Sequence, residues 1–229
     1  MDTGISDGNQ ANVVSSSISS SSDSSRPRAI IAMHGSFNPP HLGHISMMVR
    51  AREVLQARGY DVDGEFATTS ASWIQGKHTR AMKTAVRIGL LERMIESEGA
   101  DSWLQAFDGS AVDSTSGWLG MSVQGKNTLP VHVGGVDVME NYNERPPAGG
   151  EQIVVGRGGH PPWEPQSSKV TYLQADQAFG GTSSTAVNTA MQAGKWEVVA
   201  SMCGAEVAAM LRALGPSDYE GGNTRIKHR

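Results

Sequence analysis

The stretch that decides the fold runs from residue 28 to residue 59 and reads RAIIAMHGSFNPPHLGHISMMVRAREVLQARG. Its apolar residues 29–33 form a short continuous run of the kind expected for a strand buried on both faces. A turn rich in glycine and proline follows. From Leu42 onward apolar residues recur mainly three and four positions apart until Gly59, which predicts a helix with a glycine stop. The stretch therefore predicts a strand, a loop and a helix in that order.

Outside this stretch, short apolar runs continue to alternate with amphipathic segments. Further strands are predicted at 62–68, 129–133, 152–155 and 170–173, and further helices at 79–97, 184–193 and 205–214. This alternation predicts an α/β fold with a Rossmann-like, mostly parallel sheet flanked by helices and followed by C-terminal helices. The helix predicted at 79–97 keeps helical spacing at Met82, Ala85, Val86, Gly89, Leu90, Arg93 and Met94, and Arg93 is the one cationic interruption.

The two ends of the chain differ in composition from its middle. Ten of the first 26 residues are serine, so residues 1–27 are expected to be a disordered leader, with a cleaved organellar targeting peptide as the alternative. The domain is expected to span residues 28–215, and residues 216–229 are expected to form a flexible polar tail.

Composition excludes several classes of protein. The 229 residues include 19 Lys and Arg against 23 Asp and Glu, a formal charge of −4, and the cations form no stripe. Neither a nucleic acid nor an anionic membrane is therefore expected as the main partner. Apolar runs are too short to cross a bilayer, and the single Cys203 excludes an intrachain disulfide framework. We expect a soluble protein of the cytoplasm or nucleus, and the sequence leaves its oligomeric state open, a homo-oligomer included.

The loop between the first strand and the first helix carries the motif GSFNPPHLGH at residues 35–44. Open α/β sheets bind ligands at this edge, and the amino end of a helix suits a phosphate group. His41 and His44, three apart on the first helical turn, can face one site. They could instead share a metal ion or be ordinary surface histidines, and these alternatives stay open on the residues alone.

This motif resembles the signature of nucleotidyltransferases that carry His-Xaa-Gly-His, and its Gly-Ser-Phe-Asn-Pro form is similar to the nicotinamide or nicotinic acid mononucleotide adenylyltransferases. The resemblance implies an enzyme that transfers AMP from ATP to nicotinamide or nicotinate mononucleotide and forms NAD or deamido-NAD and pyrophosphate. It implies that Mg²⁺ arrives on the ATP phosphates and that the protein supplies no metal site. His41 and His44 would be catalytic, and ATP would also meet Gly35, Ser36, Phe37 and Gly43.

A second matching element is TSSTAVN at residues 182–188, which resembles the family's late helix start that holds ATP phosphates. By this resemblance Ser183, Ser184 and Thr185 bind phosphate. Taken alone, the hydroxyl residues would indicate only a capped helix.

Looser matches assign the remaining nucleotide contacts. The segment WIQGKHTR at residues 73–80 implies that Lys77 and Arg80 receive the mononucleotide, with a solvated basic surface as the alternative. Trp103 corresponds to a tryptophan that stacks on the pyridine ring, with core packing as the alternative.

Two glycine-containing strand ends complete the resemblance. VGGVD at residues 133–137 implies ribose or nucleotide contacts for Gly134 and Asp137, although Asp137 could be a simple helix cap. VVGRGG at residues 154–159 implies a nucleotide contact for Arg157.

Two departures from the family pattern stand out. Asn188 occupies the position of an arginine that reaches the polyphosphate, and we hypothesise that Lys195 or Arg157 compensates. Residues 108–128 are rich in glycine and serine and align with no family helix. Two alternatives follow: a nucleotide-binding protein of this fold with impaired catalysis, or another nucleotidyltransferase of the pantetheine-phosphate adenylyl or cytidylyl type.

Overall fold

The structure is a computed structural model that describes residues 26–75, 80–112, 114–124, 127–142, 145–156, 165, 167–174 and 177–220. Residues 1–25 of the predicted leader and residues 221–229 of the predicted tail lie outside this part of the chain. So do two predicted binding residues, Lys77 and Arg157.

The centre of the molecule is one six-stranded sheet in which every neighbouring pair of strands is parallel. In chain order the strands are β1 (Arg28–Gly35), β2 (Asp61–Thr68), β3 (Leu104–Asp108), β4 (Thr128–Gly135), β5 (Glu151–Gly156) and β6 (Val170–Gln174). Their order across the sheet is β3-β2-β1-β4-β5-β6. The predicted α/β, Rossmann-like architecture is confirmed.

Helices connect and flank these strands. They are α1 (Leu42–Ala57), α2 (Ala71–Gln75), α3 (Thr84–Ser97), α4 (Thr115–Ser122), α5 (Val136–Tyr142), α6 (Ser184–Gln192), α7 (Trp196–Cys203) and α8 (Ala205–Ala213). Short 3₁₀ turns occupy Gln177–Phe179 and Pro216–Asp218. The predicted α1, α6 and α8 are confirmed to within about two residues, the usual uncertainty of a helix end. The helix predicted from residue 79 begins at Thr84, and α2, α4, α5 and α7 were not predicted.

Strand β1 is buried because each of its faces packs against a different layer. Ile31 and Met33 join the main core, which includes Met48 and Leu55 of α1. Ile30 lies on the other face, in a smaller cluster with Leu119 of α4. Because successive side chains of a strand point to opposite faces, this two-sided cover explains the uninterrupted apolar run.

The chain after α8 packs against the segment that precedes α3. Tyr219 forms an antiparallel bridge with Met82, and the Lys83 amide donates to the Asp218 carbonyl over 2.9 Å. The Glu220 amide donates to the Ala81 carbonyl at the same distance of 2.9 Å. The predicted start of a flexible tail at residue 216 is therefore too early, because backbone hydrogen bonds hold the chain through Glu220.

Candidate active site

A cavity of about 740 Å³ opens at the carboxyl ends of the central strands. The pairing of β1 with β4 ends at Ala32 and His132. Each of these strands continues to Gly35 or Gly135 only with its outer neighbour. The two central strands therefore part beyond residue 32, at the point where the strand order reverses and such sheets bind ligands.

The loop that follows β1 is held by side chains that bond its backbone carbonyl oxygens. Four donors come from α3, α6 and α7: Arg87 Nη1 to Ser36 at 2.9 Å, Asn188 Nδ2 to Asn38 at 2.9 Å, Ser184 Oγ to Pro39 at 2.8 Å and Cys203 Sγ to Pro40 at 3.4 Å. Each donor fixes one carbonyl of the loop, so its backbone is set by contacts from three separate helices.

The histidines of the motif stack on each other at the start of α1. The ring centroids of His41 and His44 lie 3.7 Å apart with an interplanar angle of 25°. The backbone N–H of His41 donates to Nδ1 of His44 over 3.1 Å, so His44 carries its proton on Nε2. His44 is also one of the residues that line the cavity.

Two further motif residues shape this turn. Phe37 has a φ of 44°, a left-handed conformation that is unfavourable for a residue with a side chain. Its ring packs edge-on against His44 at 5.0 Å and against Phe66 at 5.2 Å. A Cβ atom on Gly43 would lie 3.0 Å from Nδ1 of His41, so the absence of a side chain at Gly43 leaves room for the His41 ring in this stacked position.

The amino end of α6 lies at the same cavity. Ser183 caps this helix by accepting a hydrogen bond from the Ala186 amide at 3.1 Å. The Ser184 hydroxyl donates its proton in a hydrogen bond to the Pro39 carbonyl. Thr185 lines the cavity and is exposed. Three predicted phosphate residues are thus brought to the site, but one of them acts in holding the loop.

The opposite wall comes from the end of β4. Gly134 and Asp137 both line the cavity, as predicted. A Cβ atom on Gly135 would approach a carboxylate oxygen of Asp137 to 2.6 Å, so a side chain there would displace this carboxylate. Asp137 lies in the first turn of α5.

The structure does not bring Trp103 or Arg80 to the cavity. Trp103 precedes β3 at the amino edge of the sheet, is only 8% exposed, and packs under the Arg52 guanidinium at 4.5 Å. The guanidinium of Arg80 lies 4.0 Å from the ring of Tyr219. The alternative of core packing holds for Trp103, whereas the role predicted for Arg80 stays a prediction.

Sequence reasoning missed several side chains of the site. Trp73 of α2 lines the cavity with 49% of its surface exposed. His34 and His132 line its inner part, where burial lowers the pKa of His132 to about 3. The position of Trp73 just before the predicted basic residues was the one sequence signal available. Neither inner histidine stood out from the apolar strand that carries it.

The charge of the described lining is modest for a polyphosphate site. Among the lining residues that the structure describes there is no lysine or arginine, and Asp137 is the one carboxylate. Lys195, predicted to compensate for Asn188, is exposed at the start of α7 and does not line the cavity. Within the described ranges, no three His, Cys, Asp or Glu side chains gather where they could hold a metal ion.

No protein-family profile matches this chain, and no curated protein matches it. Solved structures include a similar chain, a macrolide-efflux protein from Streptococcus pneumoniae, with 18% sequence identity and a TM-score of 0.42. The match covers 78% of this chain and 65% of that one. A likeness this distant supports no functional argument. None of the described helices is both long and apolar enough to cross a bilayer.

Proposed function

We propose that the protein is an adenylyltransferase that transfers AMP from ATP to nicotinamide or nicotinate mononucleotide and releases pyrophosphate. One observation carries the proposal: the GSFNPPHLGH loop and the TSSTAVN helix start, far apart in sequence, meet at one cavity. Ser184 Oγ joins them directly through its 2.8 Å hydrogen bond to the Pro39 carbonyl. Two helix amino ends and two histidines at one cavity suit a polyphosphate.

The transfer needs positioning and charge stabilisation more than a base. A phosphate oxygen of the mononucleotide forms a bond to the α-phosphorus of ATP, and the bond from that phosphorus to the bridging oxygen breaks. The phosphate nucleophile is largely ionised at neutral pH because its second pKa is about 6. Negative charge grows on the departing pyrophosphate, where a donor such as His44 Nε2–H stabilises it.

The residues present fit an ion that is carried mainly by the substrate. Mg²⁺ carried by ATP would neutralise phosphate charge and would need few ligands from the protein. Asp137 is the one carboxylate among the described lining residues, and it would be the protein's ligand to such an ion. Asp137 would orient the bound nucleotide, as its place at the end of β4 suggests.

Trp73 takes the role that the sequence assigned to Trp103. It presents an exposed indole to the cavity, and an indole face attracts a cationic pyridine ring. Both substrates are intracellular metabolites, which agrees with the expected location in the cytoplasm or nucleus.

A second candidate is a nucleotide-binding protein that does not catalyse transfer. Two observations favour it. The described lining residues include no lysine or arginine, and the side-chain amide of Asn188 donates to the Asn38 carbonyl. Such a protein would bind ATP without turnover.

Pyrophosphate release separates the two candidates. Purified protein is given Mg²⁺-ATP with nicotinamide mononucleotide, nicotinate mononucleotide, or neither. We expect release only when a mononucleotide is present, and the faster reaction identifies the preferred base. ATP binding without release in any arm would make the binding protein the better proposal. A cytidylyl or pantetheine-phosphate acceptor in a further arm tests the related enzymes.

A further inference from the structure

Arg87 is a charged side chain that the proposed chemistry does not use, and it lies entirely within the protein. It belongs to α3 and is 0% exposed. Its guanidinium donates to the Ser36 carbonyl at 2.9 Å, the Thr69 carbonyl at 2.8 Å and the Thr84 hydroxyl at 2.9 Å. A fourth bond, from Nε to the Met82 carbonyl, measures 3.2 Å.

These acceptors belong to segments that frame the cavity. Ser36 follows the end of β1, Thr69 follows the end of β2, and both line the cavity. One planar side chain thus bonds two neighbouring strand ends. Its donors have a fixed fork geometry, so the guanidinium sets the spacing of these carbonyls in a way that a flexible ammonium cannot.

The cost of burying this charge indicates that its position matters. No carboxylate of the described residues lies within 4.0 Å of the guanidinium, whereas four more exposed arginines, Arg28, Arg50, Arg58 and Arg93, each form such an ion pair. A buried cation whose partners are all neutral oxygen atoms is unfavourable compared with an apolar side chain of similar size. Asp108 and Glu220 act on it only as more distant charges.

We propose that Arg87 is a positioning residue that fixes the Ser36–Thr69 strand ends and places a permanent positive charge behind the loop that receives the polyphosphate. The inference rests on the proposed function and deepens it. The Ser36 and Thr69 carbonyl oxygens carry partial negative charges that would repel an anionic ligand. Because both oxygens accept hydrogen bonds from Arg87, they point toward the guanidinium and away from the ligand. It acts through the loop and needs no contact with the substrates.

The test compares Arg87→Lys with Arg93→Lys, a matched change on an exposed residue of the same helix that pairs with Glu96 and Glu206. Arg87→Lys keeps the positive charge but loses the planar guanidinium with its fixed set of donors. We expect kcat per folded molecule to fall about 100-fold, with KM for ATP changed less than about threefold, because a misplacement of about 1 Å costs about this much. Arg93→Lys is expected to retain the wild-type kcat. Circular dichroism gives the folded fraction.

A second measurement does not depend on turnover. Amide hydrogen exchange at residues 35–38 is expected to be faster in Arg87→Lys and unchanged in Arg93→Lys. If wild-type protein shows no turnover, the proposed function fails, while this exchange result still decides the role of Arg87. Unchanged exchange at these amides, or an unchanged kcat per folded molecule in an active enzyme, would overturn the inference.

A milder variant covers the case in which Arg87→Lys does not fold. Thr84→Val removes one acceptor and keeps the arginine. We expect faster exchange at residues 35–38 and, in an active enzyme, a kcat about threefold lower. Wild-type exchange in Thr84→Val, with Arg87→Lys unfolded, would reduce Arg87 to a purely structural residue and overturn the proposal.

Discussion

His44 has its proton placed by a backbone contact, so its two ring nitrogens have separate roles. Nδ1 accepts from the His41 amide at 3.1 Å, which places the ring proton on Nε2. We predict that His44→Asn, which retains a polar group near Nδ1 only, lowers kcat for pyrophosphate release by about 10³, the upper cost of removing one such donor. His44→Gln, which places an amide near Nε2, is expected to lose about tenfold. Steady-state kinetics measures both, and equal activity of the two variants would contradict the assignment.

The two tryptophans Trp73 and Trp103 provide a matched comparison of exposed and buried indoles. Trp73→Ala is predicted to raise KM for the mononucleotide about tenfold, because stacking with a cationic ring is worth about 1–2 kcal/mol. Trp103→Phe keeps an aromatic ring in the core and is predicted to leave this KM unchanged while lowering the melting temperature. The reverse pattern of KM values would return the stacking role to Trp103.

At the scale of elements, the contact between the start of α6 and the loop after β1 is the structural basis of the site. Ser184 and Asn188 each donate one hydrogen bond from α6 to that loop. We predict that Ser184→Ala and Asn188→Ala each lower the free energy of unfolding by about 1 kcal/mol, the net worth of one such bond. Each is also expected to lower kcat several-fold because the loop loses a support.

Thr189→Ala is the control for these two variants. Thr189 is exposed and bonds only within its own helix, to the Thr185 carbonyl at 3.0 Å. It is expected to change kcat less than about twofold. Because Ser184 and Asn188 support one loop, the double variant should also deviate from additivity by at least about 0.5 kcal/mol in a urea titration. Strict additivity with an unaltered kcat would show that α6 and the loop are independent.

Elements with a regular pattern could be predicted, and those whose role depends on tertiary position could not. Strand β1 and helix α1 were predictable because burial and periodicity agree along them. In α3 the spacing singled out Arg93 as its one cationic interruption and did not single out Arg87, whereas the buried residues are Arg87, Leu90, Leu91, Met94 and Ile95. Spacing alone could not identify Arg87, because an arginine is expected at the surface and this one is buried by donating to four oxygen atoms.

The candidate site shows the same division. Four predicted parts of the site reach the cavity because each lies at or just after the carboxyl end of a strand, or begins a helix there. They are the motif loop, the start of α6, Gly134 and Asp137. Trp103 lies before its strand rather than after it, so it falls at the opposite edge of the sheet. Helix α4 lacks a long periodic pattern in its sequence and forms where Leu119 covers Ile30 of β1.

At the scale of the whole molecule, the buried His132 couples folding to pH. It is 1% exposed in the centre of the sheet, and burial lowers its pKa from 6.5 to about 3. As pH falls below about 6.5, the unfolded chain binds a proton that the folded protein does not bind. Stability is therefore present above that pH and is lost progressively toward pH 3.

The magnitude of this effect follows from the pKa difference. Between pH 7.5 and pH 5.0 the His132 contribution to the free energy of unfolding is predicted to fall by about 2 kcal/mol. Urea titrations at the two pH values measure the loss. In His132→Asn the loss should be smaller by this amount, whatever the overall stability of the variant. An identical pH dependence in both proteins would place the sensitivity elsewhere.

The most direct test of adenylyl transfer follows the α-phosphate of ATP. ATP labelled at that phosphate is incubated with Mg²⁺, the preferred mononucleotide and wild-type protein, and the products are separated by chromatography. Adenylyl transfer predicts that the label moves into a dinucleotide in a one-to-one ratio with released pyrophosphate, and that folded His44→Asn forms almost none. Label that stays in ATP, or that appears in ADP or free AMP with no dinucleotide, would contradict the proposed function.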